Sequence, residues 1–315
     1  MNTLPLSCRI SHVEKLSDQI SAIELHSESA PFVGLAPGAH LDVLLKDNLM
    51  RQYSIFSYSA DHKACRIAVK REDQGRGGSL QMHKLCEDDV VTLSQPRNNF
   101  ALQAGLPHYT LIAGGIGVTP IYSMAQQLKQ SGSNVTVFYL VQSSADAAFA
   151  SLLNALDLGD NLHIHSTHES GRIDLTSTIA ALPSETVIYT CGPESMMQAI
   201  EKAAEAANIA VHLERFSALP IDTDQDNNSF QVEISSTGAV YTIEQGDSII
   251  DVLLEEGIEV DYSCLEGVCG ACITDVIEGT VEHRDSILSD KEQVSNKMMC
   301  VCVSRASSAK LVLDL

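Results

Sequence analysis

Apolar and polar positions alternate with period two through the first hundred residues. SCRISHVEKL, SAIELHSES, HLDVLLK, QYSIFSYS, CRIAVKRE and DVVTLSQP are short runs rich in β-branched side chains, separated by turn signals such as PFVGLAPGAH. Six such strands at this spacing predict a small antiparallel barrel over residues 1–104. Near residue 108 the pattern changes. HYTLIAGGIG is an apolar strand ending in glycines, and TPIYSMAQQLKQSG continues with helical period and a glycine stop. NVTVFYLV, AAFASLLNAL, NLHIHSTH, DLTSTIAAL, TVIYTCGP, ESMMQAIEKAAEAANI and VHLERF go on alternating strand with helix. That alternation predicts an open α/β domain with a parallel sheet over 105–217.

The stretch ALPIDTDQDNNS is polar and without period, which predicts a linker at 218–229. Residues 230–315 then read as a third domain of mixed α+β type. It has a hairpin (FQVEISST–GAVYTIEQ), a helix (SIIDVLLEEG), a cysteine-bearing loop, and strands in CITDVIEGTVEH and KLVLDL.

Composition narrows the function. With 41 acidic and 20 basic residues the net charge is −21, which disfavours nucleic acid and anionic membranes and suits docking to a basic protein surface. No apolar run reaches the ~18 residues of a spanning helix, and the N-terminus lacks the features of a signal peptide, so a cytoplasmic protein is expected. Nine cysteines, five of them in the last fifth of the chain and four of those (Cys264, Cys269, Cys272 and Cys302) in a motif-like spacing, fit a reduced compartment with a metal or cluster site better than a disulfide framework.

Those four carry the strongest signal. Cys264-Leu-Glu-Gly-Val-Cys269-Gly-Ala-Cys272 has the C-x4-C-x2-C spacing of plant-type [2Fe–2S] ferredoxins, and Cys302 follows as the fourth ligand. Gly267 and Gly270 let backbone N–H groups approach the sulfurs. Zinc loops usually come as paired C-x2-C knuckles, and only one such pair is present. Cys300, two residues from Cys302 and on the same face of a strand, is an alternative fourth ligand by pattern alone.

Two further motifs concern nucleotides. Ala113-Gly114-Gly115-Ile116-Gly117-Val118-Thr119-Pro120 ends a strand and opens a helix, with Thr119 at an N-cap and Pro120 at the first helical position. A helix start of this kind suits a pyrophosphate, although the run is not GxGxxG. Thr190-Cys191-Gly192-Pro193 ends a second strand, and two such ends flanking one crevice fit a nicotinamide site. In the barrel, Arg51-Gln52-Tyr53-Ser54 offers a phosphate-pairing cation, a flat ring and a hydroxyl. Gly75-Arg76-Gly77-Gly78-Ser79 offers a backbone phosphate nest.

In this order, RQYS, GRGGS, GGIGVTP, TCGP, LERF and the C-terminal cysteine loop resemble the ferredoxin–NADP reductase superfamily. Within it the resemblance is to the group of phthalate dioxygenase reductase and vanillate O-demethylase reductase, and it spans essentially the whole chain. It implies that Arg51, Tyr53 and Ser54 hold a flavin, with Ala68 and Lys70 on the neighbouring strand, and that Gly77, Gly78 and Ser79 bind its phosphate. It further implies that Thr119 lies near the flavin ring and that Phe216 packs at the flavin. Gly114, Gly115, Gly117, Cys191, Gly192 and Pro193 would shape the nicotinamide site, and Ser54, Thr119 and Cys191 are the candidate catalytic residues. The GRGGS form with this domain order implies FMN, whereas the wider superfamily mostly uses FAD.

Many relatives carry an Arg-Ser pair after the second α/β strand, where this chain has Val141-Gln142-Ser143-Ser144-Ala145-Asp146. The lack of an arginine and the nearby acid favour NADH over NADPH, with Arg172 the basic residue further on. The expected route is NADH to FMN to [2Fe–2S] to a separate, Rieske-type oxygenase acting on an aromatic or quaternary-amine substrate, with this chain a monomer. A cytochrome P450 partner is the alternative within the class. A non-enzymatic redox carrier or sensor is the alternative outside it. Residues 230–315 carry 16 acidic against 5 basic residues, a surface that would steer a basic partner.

Overall fold

The computed structural model describes residues 5–217 and 228–315. Most of the expected linker at 218–229 therefore lies outside the described residues. The chain forms two compact units, one ending at Glu214 and the other beginning at Arg215.

The first unit opens with a closed antiparallel barrel built from β1 (Leu6–Lys15), β2 (Ile20–Ser27), β3 (His40–Leu44), β4 (Met50–Tyr58), β5 (Ala64–Lys70) and β6 (Val90–Leu93). Their order round the barrel is β1-β2-β5-β4-β3-β6. The period-two pattern accounts for it: in β1, Leu6, Cys8 and Ile10 are buried while Ser7, Arg9 and Ser11 are exposed. A short helix, α1 (Gly78–Met82), follows β5.

Next come β7 (His108–Gly114), α2 (Val118–Gln130), β8 (Val135–Val141), α3 (Ala150–Asn154), β9 (Leu162–Ser166), α4 (Thr167–Ser170), α5 (Leu175–Ala180), β10 (Thr186–Cys191), α6 (Glu194–Ala207) and β11 (Ala210–Glu214). The five strands make a parallel sheet in the order β11-β10-β7-β8-β9, so the strand order reverses between β7 and β10. Barrel and sheet share a core. Ile20, Ala22, Phe56 and Ala68 of the barrel pack with Ile121, Tyr122 and Phe149, and the Phe56 and Phe149 rings meet edge-on at 5.1 Å.

The second unit holds β12 (Phe230–Ile234), β13 (Val240–Ile243), α7 (Ile249–Glu255), β14 (Ile273–Glu278), β15 (Val281–Glu282), α8 (Asp290–Ser295), β16 (Met298–Cys300), β17 (Arg305–Ala306) and β18 (Lys310–Leu313). Its main sheet runs β13-β12-β18-β14-β16, with β12 and β18 parallel and the other pairs antiparallel. Ser248 caps α7 by accepting from the Asp251 N–H, and Ile249, Ile250 and Leu253 form its buried face. Buried Arg305 ties this unit together. It donates to the carbonyls of Asp247, Glu244 and Asn228 and lies over the Phe230 ring. No helix among the described residues is long and apolar enough to cross a membrane.

Two local expectations are corrected. Thr119 is not an N-cap: a 3-10 turn over Gly115–Gly117 runs directly into α2, which makes Gly117 the cap. Thr119 instead donates its hydroxyl to the Ile116 carbonyl at 3.1 Å, and Pro120 sits at the third helical position, where no intrahelical N–H bond is lost. Cys300 and Cys302 do not share a strand, because β16 ends at Cys300 and Cys302 lies in the following turn.

Candidate functional site

Strand register brings the first group of residues together. In the barrel, His40 on β3 pairs with Ser54 on β4. In the parallel sheet, Cys191 at the end of β10 pairs with Glu214 at the end of β11. The two pairs meet where barrel and sheet join: the Ser54 hydroxyl donates to Glu214 Oε2 at 3.4 Å, and His40 Nδ1 lies 3.8 Å from Glu214 Oε1.

Burial sets their charge. The Glu214 side chain keeps only 12% of its surface exposed, and desolvation raises its pKa to about 8 despite the Ser54 hydroxyl. His40, 2% exposed, is lowered to about 3 by burial and by the Arg97 guanidinium. At neutral pH both are uncharged, so their contact is not an ion pair. The Cys191 thiol is fully buried and pushed well up by that burial and by Glu214, so it stays protonated. Both His40 ring nitrogens are buried without a hydrogen-bond partner. The sequence reading did not select Glu214 or His40. A carboxylate closing an otherwise apolar strand, VHLE, was the available signal.

The glycine turn sits against the same strand ends. A Cβ on Gly117 would stand 2.4 Å from the Cys191 carbonyl oxygen, and one on Gly192 would stand 2.9 Å from Gly114 Cα. A Cβ on Gly114 would meet Pro193 Cδ at 2.5 Å. Gly114, Gly117, Cys191, Gly192 and Pro193 thus form one backbone crevice at the carboxyl ends of β7 and β10, the switch point where open α/β sheets take nucleotides. Gly115 borders it with φ +54°. Thr119, 2% exposed, is behind it.

On β4, Arg51 and Tyr53 share one face and Ser54 the other. Arg51 Nη1 donates to the Met50 carbonyl, whereas Nη2 is buried with no partner. A Cβ on Gly78 would lie 2.6 Å from Arg51 Cγ, so Arg51 crosses directly over the glycine loop. Gly77 takes φ +84° at the start of α1. The Ser79 hydroxyl accepts from the Glu72 N–H at 3.0 Å, which pins the loop to the segment just after β5. An orphaned guanidinium nitrogen over a glycine loop fits the phosphate of a flavin. Tyr53 packs on the barrel core, with its hydroxyl pKa raised by burial. The Ala68 methyl is buried in the core shared by barrel and sheet, and Lys70 pairs with Glu72 at 2.6 Å. Phe216, just beyond β11, is 44% exposed and falls in the second unit.

In the second unit the cysteines stand as two pairs. Cys264 and Cys269 are hydrogen-bonded side chain to side chain, and Cys272 Sγ lies 3.1 Å from Cys302 Sγ. Among the described residues no three metal-binding side chains gather as a single ion would require. Two pairs suit a two-iron cluster in which each iron takes two thiolates. Backbone N–H groups point at the sulfurs: Glu266 to Cys264 at 3.3 Å, and Cys264 and Ala271 to Cys269 at 3.5 Å each. Left-handed Gly267 and Gly270, at φ +69° and +71°, make the turns that aim them. A Cβ on Gly267 would strike Val303 at 2.6 Å. Hydrogen bonds from Cys300 and Cys302 draw the Cys272 thiol pKa well down, and theirs rise in consequence. The donor set fits a [2Fe–2S] cluster. Cys300, wholly buried in the domain core, also touches Cys272.

A flavin-type barrel, a nucleotide-type parallel sheet and a ferredoxin-type cysteine loop on one chain define an iron–sulfur flavoprotein oxidoreductase. Comparison with known proteins agrees. Residues 7–102 match the oxidoreductase FAD-binding domain, and residues 232–307 match the 2Fe-2S iron-sulfur cluster binding domain. Residues 92–212 match the N-terminal domain of dimethylamine monooxygenase subunit DmmA-like proteins. The chain is 36% identical to phenoxybenzoate dioxygenase subunit beta of Ectopseudomonas oleovorans, over 99% of this chain and 98% of that protein. The solved structure of phthalate dioxygenase reductase, at 34% identity, superposes with a TM-score of 0.72 over 99% of this chain and 98% of that one. An intact type IV self-sufficient cytochrome P450 monooxygenase, at 32% identity, gives a TM-score of 0.91, with this chain spanning 41% of its length. The chain belongs to the phthalate dioxygenase reductase family, the flavin- and [2Fe–2S]-containing reductase components of oxygenase systems.

Proposed function

We propose that the chain oxidises NADH and passes the electrons through FMN and a [2Fe–2S] cluster to a separate Rieske-type oxygenase. The observation that carries this is the coexistence, in one chain, of the buried Ser54–Glu214–Cys191 group at a nucleotide crevice and the doubly paired thiols of the cysteine loop. When bound, the flavin supplies conversion between two-electron hydride chemistry and the one-electron chemistry of the cluster.

The chain's own residues divide the work. Arg51 Nη2, Gly77, Gly78 and Ser79 hold the flavin phosphate, while Tyr53, Ser54, Ala68 and Lys70 border the ring system. Gly114, Gly115, Gly117, Gly192 and Pro193 shape the nicotinamide crevice, and Thr119 lies on its flavin side. Ser54 and Cys191 line the reacting end. Glu214, protonated at neutral pH, holds a proton beside the Ser54 hydroxyl, and the apolar walls keep water from it. Cys264 and Cys269 serve one iron, Cys272 and Cys302 the other. The acidic surface of the cluster domain, 16 acids against 5 bases over residues 230–315, suits a basic docking face, with association that slows in high salt.

Extraction of the bound flavin and its mass measurement test FMN against FAD. Reconstitution with purified Rieske oxygenase or P450 components tests the partner. The P450 reading has one observation in its favour, the superposition on a self-sufficient P450 chain. NADH-driven turnover with the Rieske component alone supports the proposal, and turnover with the P450 alone replaces it. Absence of NADH-driven dye reduction by the loaded chain would sink the enzymatic reading in favour of a carrier.

A further inference from the structure

The carboxyl end of β8 is built around two carboxylates that come from different segments. Following β8, the Ser143 hydroxyl and N–H both donate to Asp146 Oδ2, at 2.6 and 3.1 Å. From the far side, Glu169 Oε1 accepts from the Ser144 hydroxyl at 2.5 Å and from its N–H at 3.2 Å. Glu169 lies on α4, which follows β9, and α4 is held against the β8 end by its own bonds. Thr167 donates its hydroxyl to the Val141 carbonyl at 3.1 Å, and the His168 N–H donates to the Gln142 carbonyl at 2.8 Å. The serine hydroxyls, Ser144 first and then Ser166, hold the Glu169 pKa below the ordinary carboxylate range. A fixed anion results, on a braced turn.

Its place in the sheet gives it meaning. The glycine turn follows β7, the first strand of the nucleotide half, and β8 is the second. In such sheets the adenosine ribose lies at the carboxyl end of the second strand, where an acid accepts from a free 2′-hydroxyl and an arginine takes a 2′-phosphate. Along the sequence Glu169 stands far from the glycine turn, but the β8–β9 register (Val141 with Ser166) returns it to that strand end.

We propose that Glu169, with Asp146 beside it, is a specificity-determining residue for the nucleotide, tolerating the 2′-hydroxyl of NADH and repelling the 2′-phosphate of NADPH. This rests on the NADH reading above. Two like charges brought together at a partly solvated surface repel enough to alter relative affinity by about tenfold or more. The contribution is electrostatic, so it shrinks as ionic strength rises.

The test uses the full, cofactor-loaded chain and two readouts. The first is the ratio of kcat/KM for NADPH to that for NADH with ferricyanide as acceptor. The second, independent of turnover, is the calorimetric affinity for 2′,5′-ADP relative to 5′-AMP. In Glu169→Gln both ratios should rise about tenfold, and in Glu169→Gln with Asp146→Asn further still. Wild-type preference for NADH with both ratios unmoved in the variants would overturn the assignment of Glu169 and leave the NADH reading standing. Wild-type preference for NADPH, with Arg172 as the cation responsible, would overturn both.

Discussion

Replacing Glu214 with glutamine should alter how stability depends on pH. The carboxyl has an ordinary pKa of 4.5 in the unfolded chain and about 8 in the folded one, because the fold buries it beside neutral groups. Below pH 4.5 it is protonated in both states and costs nothing. Between these values the unfolded state releases the proton while the folded state keeps it, so stability falls as pH rises, by about 1.4 kcal/mol per unit. The loss is of order 3 kcal/mol at pH 7 and is complete above the folded pKa. His40 contributes the opposite slope: held neutral by its lowered pKa of about 3, it adds stability as pH rises toward 6.5. That term is common to wild type and Glu214→Gln, so the difference between their curves isolates Glu214. Guanidinium unfolding of the flavin-loaded protein, followed by flavin fluorescence on release, reports the first unit alone. The wild-type curve should fall relative to that of Glu214→Gln from pH 5 to pH 8. Parallel curves would show that Glu214 titrates as an exposed acid, and the proton-holding role beside Ser54 would go with it.

Other perturbations follow from single contacts. Gly78→Val puts side-chain carbon where Arg51 Cγ already stands within 2.6 Å of a Cβ, so the purified protein should carry several-fold less flavin per chain, read from its visible absorbance. Cys302→Ser should lose the cluster absorbance, whereas Cys300→Ser should keep it at reduced thermal stability; the reverse would make Cys300 the fourth ligand. Arg305→Met strands three carbonyls that now share one buried guanidinium, and it should cost the second unit about 3–5 kcal/mol, seen as earlier bleaching of the cluster on heating.

What could be read from the chain alone follows from how local its causes are. The barrel strands were legible because each alternates within itself, as LSCRISHVEK does, and the parallel strands because runs such as VTVFYLV are buried on both faces. The cysteine loop was legible because C-x4-C-x2-C is a local constraint of the cluster itself. The segment SDKEQVSNKMMC gave no period, yet it forms α8 and β16. A Ser289–Glu292 capping box starts the helix, and pairing with β14 makes the strand. Glu214, His40 and Glu169 escaped notice because their significance lies in register with distant strands. His40 matters because it faces Ser54, Glu214 because it faces Cys191, and Glu169 because β9 carries it back to β8. Thr119 has the composition of an N-cap, but the preceding glycines extend the turn and move the cap to Gly117.

The central claim is that one chain delivers electrons from NADH through its flavin to its cluster. Anaerobic titration of the purified, cluster-replete protein with NADH, followed by visible absorbance and EPR, tests it most directly. The account predicts bleaching of the flavin bands together with a rhombic [2Fe–2S]⁺ signal, and in cluster-free Cys264→Ser or Cys272→Ser protein the flavin bleaching alone. Flavin bleaching without a cluster signal in the cluster-replete wild type would contradict it.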